Sequence, residues 1–176
     1  MDKLNAIKNW LMALDKKKKN SYCRGCCDYN CCLVNVMEPR ASTDYIVIHI
    51  SATKPSMDIG AETIKDWHVN ERKWRDIGYH KIIKRNGDVE DGRDIRDSGA
   101  HAAGYNSKSV GLCMVGGMAE DNSAENNFTP HQWVALIMEI KKLSETYPDA
   151  KIIGHNEISE KECPSFDVQQ WKADNL

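Results

Sequence analysis

Residues 154–167 read "GHNEISEKECPSFD", which sets His155 and Cys163 eight residues apart with Lys161 beside the thiol. An imidazole and a thiol are soft ligands, and with a cation next to them they point to a metal site. Such a site needs a further ligand, and the best candidate is His49. It stands near the end of the run "YIVIHI" (45–50), just before "SATKPS" (51–56) leaves the strand. The end of a buried strand is rigid while the loop after it opens to solvent, and a catalytic ligand needs both. Zinc takes histidine nitrogen and cysteine sulfur in a tetrahedron, and catalytic zinc keeps its fourth position for water. Two histidines and one cysteine satisfy that rule. Spacing alone leaves other readings open: a hydrogen-bonded core histidine, a cysteine filling apolar space, a lysine that is an ordinary surface charge.

The elements that must hold these residues can be read from their patterns. "YIVIHI" is short, apolar and β-branched, as a buried strand is. "GAETIKDWHVN" (60–70) reads as a helix, and "YHKIIKRNGDVED" (79–91) as a hairpin turning at Asn86 and Gly87. "SVGLCMVGG" (109–117) is a second buried strand closed by two glycines, so Cys113 is expected in the core. Thr129, Pro130 and Gln132 form the start signal of a helix whose apolar stripe is Trp133, Leu136, Ile137, Ile140 and Leu143. "KIIG" (151–154) is a last strand and "FDVQQWKAD" (166–174) a terminal helix. Strands and helices interspersed around a hairpin predict an α/β fold: a central mixed β-sheet flanked by helices.

With 176 residues, 41% apolar and 28% charged, the chain is long enough for one soluble domain and a short appendage. Residues 1–43 hold eight Lys/Arg against four Asp/Glu, a net of +4, and the rest hold 16 against 22, a net of −6. We therefore expect a basic extension over 1–42 and a catalytic domain over 43–176, with "NVMEPRAST" (35–43) as linker. Leu4, Ile7, Leu11 and Leu14 predict an amphipathic helix in the extension, ended by the lysine run at 16–19. That segment lacks the pattern of a signal peptide, so a cytoplasmic start is expected. Of seven cysteines, Cys23, Cys26, Cys27, Cys31 and Cys32 crowd into "CRGCCDYNCC", a poor disulfide framework and a candidate structural zinc site.

"VIHISATKPS", "GYHKIIKRNGDVEDGRD", "AHAAGYNSKSVGLCMVGG", "NFTPHQW" and "CPSFD" resemble, in this order, the zinc amidases of the phage lysozyme type, relatives of the peptidoglycan recognition proteins. The resemblance runs from about Asp44 to Trp171. It implies that His49, His155 and Cys163 hold Zn2+, that Tyr79 and Lys161 are catalytic, and that the substrate is peptidoglycan, cut between N-acetylmuramic acid and L-alanine. His101 and Asn106 would then line the substrate groove, with Trp67 and His68 as a wall, while His80 and His131 are assigned to structure or surface. Asn156 departs from the family pattern, which has a second consecutive histidine there.

In such a site the metal activates water, Lys161 neutralises the developing oxyanion, and Tyr79 donates to the same oxygen or orients the water. The H-E-x-x-H helix of zincin proteases is missing, so proton transfer is organised differently. Two alternatives accompany this reading. A peptidoglycan-binding protein without activity is one, although such relatives typically lack the zinc-site cysteine. A dual role is the other, because a phage relative also binds its viral RNA polymerase. The extension is expected to meet an anionic envelope polymer or membrane surface. No nucleic-acid partner is expected, the chain is read as a monomer, and its location as host cytoplasm before release to the cell wall.

Overall fold

Three of the strands are apolar at nearly every position because both their faces are covered. The computed structural model describes residues 37–176. In chain order these are β1 (Tyr45–Ile50), α1 (Ala61–Asp66) continued by a π-helical turn (Trp67–Glu71), β2 (Lys81–Ile83) and β3 (Val89–Asp91). A 3-10 turn (Asn106–Lys108) then leads into β4 (Ser109–Met114), α2 (Pro130–Thr146) and β5 (Lys151–Gly154). A second 3-10 turn (His155–Glu157) and α3 (Val168–Asn175) complete the body. The strands form one sheet in the order β3-β2-β4-β1-β5, with only β3 antiparallel to its neighbour. The expected α/β fold with a mixed sheet is therefore present. The predicted N-terminal helix and the cysteines at 23–32 lie outside the described residues. Among the described residues no helix is long and apolar enough to cross a membrane.

Register decides what each face of the sheet does. Residues paired in a parallel ladder share a face, and alternate residues point opposite ways. Ile46, Ile48 and Ile50 of β1 join Val110, Leu112 and Met114 of β4 and Ile83 of β2 in one core, covered by Leu136, Ile140 and Leu143 of α2 and Val168 of α3. The other face carries His49 beside its partner Cys113, and Val47 beside Gly111. There Ile82, Cys113 and Val115 pack with Ile59, Ile64 of α1 and Ile77 in a second, smaller core. The site is built on this second face. Burying a side chain such as Leu136 contributes about 1.5–3 kcal/mol, so α2 anchors the sheet from behind.

The start of α2 follows the sequence signal. Thr129 Oγ1 accepts from Gln132 N–H at 3.2 Å, and Gln132 Oε1 accepts from Thr129 N–H at 3.1 Å. Gln132 Nε2 also donates to Val115 O and Ile83 O at 2.8 and 3.2 Å, fixing the helix to the ends of β4 and β2. At α1, the cap comes from another element: Glu90 Oε2 on β3 accepts from Ala61 N–H at 2.6 Å, placing a carboxylate at the positive helix end.

Three details differ from the sequence reading. The hairpin forms, but its turn closes with Lys84 N–H donating to Asp88 O and Gly87 N–H to Lys84 O; only Gly87, φ +92°, takes the left-handed conformation there. This is a longer loop than the two-residue turn Asn-Gly favours. The helix from residue 60 is α-helical only to Asp66. The segment read as linker is tied into the body: Arg40 donates through Nη1 to Ile95 O, through Nε to Thr43 Oγ1 at 2.9 Å and through Nη2 to Tyr147 Oη at 3.1 Å. Ser98 N–H donates to Glu38 O and Ala41 N–H to Ser107 O, so the hydrogen-bonded body includes residues before 43.

Candidate metal centre and active site

His49 occupies a buried position on the site face of β1, paired with Cys113 of β4 and following Ile48, the last residue of β1 paired with β5. His155 follows the last residue of β5 directly. Its turn is fastened by Glu157 Oε1, which accepts from Gly154 N–H at 2.6 Å and from Gln169 Nε2 of α3 at 3.0 Å. Cys163 is turned inward by Cys163 N–H donating to Lys161 O at 2.8 Å, while Asn156 N–H donates to Cys163 O. The ligand atoms of His49, His155 and Cys163 lie within 4.8 Å of one another, and His49 Nδ1 is 3.8 Å from Cys163 Sγ. A tetrahedral ion with bonds of about 2.0–2.3 Å needs ligand atoms about 3.3–3.8 Å apart, so the set fits a metal after small side-chain adjustment.

The three form one wall of a cavity of about 380 Å³, lined also by Ser51, Ala52, Trp67, Arg72, Trp74, Tyr79 and Lys161. The protonation states of its histidines suit metal ligation. Burial, with His101, His155, Lys161 and His80 adding, pushes the His49 pKa well below its ordinary value. Burial and then Lys161 lower that of His155. Both rings therefore stay neutral and keep a lone pair for a metal. Burial pushes the Cys163 thiol up, against the Ile50 N–H and Lys161, which favour the thiolate.

Tyr79 packs its ring 5.2 Å from that of His49, and burial drives its phenol well above the ordinary range, so it stays a hydrogen-bond donor. Its loop is fixed from below by buried Arg93, which donates to Ile77 O at 2.8 Å and Ser98 O at 2.6 Å, while Arg93 N–H donates to Tyr79 O. Lys161 is exposed and lines the cavity beside Cys163. Tyr79, Lys161, Trp67, His68 and His101 thus line the same cavity as the three ligands.

His68 keeps its expected place in the wall, while the two expected groove residues, His101 and Asn106, have other duties. His68 Nδ1 accepts from Gly78 N–H at 3.0 Å and its ring lies 4.6 Å from that of Trp74, so it shapes the wall. Burial, with Arg72 and Arg93, lowers its pKa to about 4. Both ring nitrogens of His101 are engaged inside the protein, with His49 Nε2 at 2.9 Å and Ser109 Oγ at 3.3 Å. Asn106 does not line the cavity: its Oδ1 accepts from the N–H groups of His101 and Ala102, each at 2.8 Å. A carboxamide oxygen that caps two backbone amides positions a loop and is not offered to substrate.

Trp74, Arg72 and Ala52 were not singled out by the sequence. Arg72 lies over the Trp74 ring, 5.5 Å from its centre, and both line the cavity. Ala52 takes φ +53°, a left-handed conformation costly for a residue with a Cβ, where the chain turns out of β1 into the cavity rim. The π-helical turn puts Trp67, His68 and Glu71 on the same rim; such turns often mark functional sites.

The family profile described as N-acetylmuramoyl-L-alanine amidase matches residues 39–166. The chain belongs to this amidase family. Its relatives include the endolysin of Enterobacteria phage K11, 48% identical over 132 residues, covering 75% of this chain and 87% of that one. The endolysin of Escherichia phage T7 is 46% identical over 136 residues, covering 77% and 89%. Among solved structures, the N-acetylmuramoyl-L-alanine amidase LysC from Clostridium intestinale superposes with a TM-score of 0.68 at 26% identity, covering 79% of this chain and 89% of that one. Within the amidase frame, Asn156 contributes a backbone N–H to the Cys163 turn.

Proposed function

We propose that this amidase is a zinc-dependent peptidoglycan hydrolase of the endolysin kind, cutting the amide between N-acetylmuramic acid and L-alanine. The observation that carries the reading is the convergence of His49, His155 and Cys163 ligand atoms within 4.8 Å at a cavity that Tyr79 and Lys161 also line. Zinc held there supplies an activated water at neutral pH and Lewis acidity toward the amide carbonyl. The Tyr79 phenol, kept protonated by burial, donates to the carbonyl oxygen as it gains charge. The Lys161 ammonium adds positive charge beside the thiolate ligand, which by itself reduces the charge a metal can offer. Trp67 and Trp74 line the same cavity and offer apolar surface to the substrate.

The test is digestion of intact peptidoglycan by the full chain, followed by mass spectrometry of the soluble products. Free stem peptides beginning with L-alanine, with the glycan strands uncut, are expected. New reducing sugar ends would instead mark a glycosidase. Stripping the metal should abolish release and Zn2+ should restore it; full activity in a metal-free preparation would overturn the zinc assignment.

A further inference from the structure

A chain of hydrogen bonds runs behind His49 that fixes which nitrogen of each ring carries the proton. Ser109, buried at the start of β4, sets its Oγ 2.7 Å from Tyr105 O and 3.3 Å from His101 Nε2. A carbonyl only accepts, so the single hydroxyl proton goes to Tyr105 O. Ser109 Oγ is then left to accept from His101, which must carry its proton on Nε2. The bare Nδ1 of His101 lies 2.9 Å from His49 Nε2, and two ring nitrogens at that distance need one proton between them. His49 therefore carries its proton on Nε2. Its Nδ1 lone pair is left facing the ligand set, 3.8 Å from Cys163 Sγ.

The His101 ring is also clamped. A Cβ on Gly111 would come within 2.6 Å of His101 Cγ, and one on Gly99 would strike the ring's Cδ2, so two bare glycines make the slot it occupies. Asn106 holds the His101 backbone N–H from the other end at 2.8 Å.

We propose that Ser109 and His101 are positioning residues, which set the tautomer and orientation of His49 so that Nδ1 is presented to the metal. The consequence for the metal rests on the zinc reading above; the tautomer itself does not. The Ser109 main chain also bonds the His101 ring, so losing the Ser109 hydroxyl weakens the hold on Nε2–H without abolishing it, and part of the population moves its proton to Nδ1. That nitrogen then opposes His49 Nε2–H and drives the His49 proton toward Nδ1, the position the metal needs. Groups that orient a ligating histidine in this way typically change metal affinity by about 10–100-fold.

The experiment uses the full chain labelled with 15N-histidine, metal-free, with the His49 tautomer read from its imidazole nitrogen shifts. Zn2+ affinity is measured in parallel by chelator competition, and thermal melting checks the fold. In the unaltered protein His49 should be a single Nε2–H tautomer. His101→Phe should show mixed or Nδ1–H forms, with Zn2+ affinity lower by about 10–100-fold, and Ser109→Ala a smaller change in the same direction. His101→Asn, whose Oδ1 falls near the position of Nδ1, keeps an acceptor and should restore both tautomer and affinity. An Nδ1–H His49 in the unaltered protein, or the same tautomer and affinity in every variant, would overturn the proposal. If the unaltered protein takes up no Zn2+, the zinc reading fails and the tautomer comparison alone decides the relay.

Discussion

His49 Nδ1 and Cys163 Sγ lie 3.8 Å apart in space although 114 residues separate them in the chain. One sits in a strand paired on both edges, the other in a turn beyond β5, and only the closed sheet brings them together. Replacing either by alanine removes one of three donors and leaves a set too small for a stable catalytic ion. His49→Ala and Cys163→Ala should each reduce peptidoglycan cleavage to background and bring bound zinc well below one equivalent. Elemental analysis alongside turbidity loss checks both; a variant that keeps its zinc and its activity would remove that residue from the site.

Tyr79 and Lys161 should act on the transition state more than on substrate affinity. Tyr79→Phe deletes one donor without changing the packing of the ring against His49. Loss of one donor of this kind lowers kcat by about 10²–10³-fold, with KM changing much less. Lys161→Ala should fall in the same direction. Steady-state kinetics on a soluble muropeptide separates the two parameters, and an unchanged kcat in both variants would end the assignment.

Stability should fall on the acid side of neutrality. Burial, as the largest cause, holds His68 and His80 at about 4 and His101 at about 3, against an ordinary 6.5. The unfolded chain therefore takes up protons first as the pH drops. The neutral rings contribute fully above about pH 6.5, and that contribution declines steadily as the pH falls toward 4. Denaturant midpoints measured from neutral pH down to about 4 should decrease through this window. A flat profile would show that these rings protonate as readily folded as unfolded.

Arg40 marks where the body begins to be held together. Its guanidinium reaches Ile95, Thr43 and Tyr147, three otherwise separate segments. Arg40→Ala should destabilise the protein by about 1–3 kcal/mol, because partly buried acceptors lose a charged donor. A chain shortened to start at Met37 should keep the unfolding midpoint of its body, while one starting at Thr43 should lose a comparable amount. Equal midpoints for the two would show that these bonds add nothing.

Much of the fold was legible because burial leaves a local signature. Apolar runs marked β1, β4 and β5, and Thr129 with Gln132 marked the start of α2. His155 and Cys163 could be paired by proximity in sequence, whereas His49 rested on its place at a strand end and on resemblance. What could not be read depends on residues meeting across the sheet. Nothing near Ser109 announces that its hydroxyl faces His101, and nothing near Asn106 that its oxygen is spent on two backbone amides. Arg72 and Trp74 reach the cavity only through the turn that follows the π-helical segment, a backbone choice with no periodic pattern. Gln132 looked like a cap and is also a bridge between two strand ends.

Because His49 alternates with the isoleucines of β1, its place in the site is a matter of parity. Adding or deleting one residue before His49 within Tyr45–Ile50 would send the imidazole to the face packed by α2 and bring an isoleucine to the ligands. The strand should accept changes of side chain far more readily than changes of length. The loop around Asp121 and Asn122, exposed and anchored at its base by Asn127, lies outside that constraint. It is the natural place to graft a tag, a targeting peptide or a second binding module without disturbing the geometry that cuts the substrate.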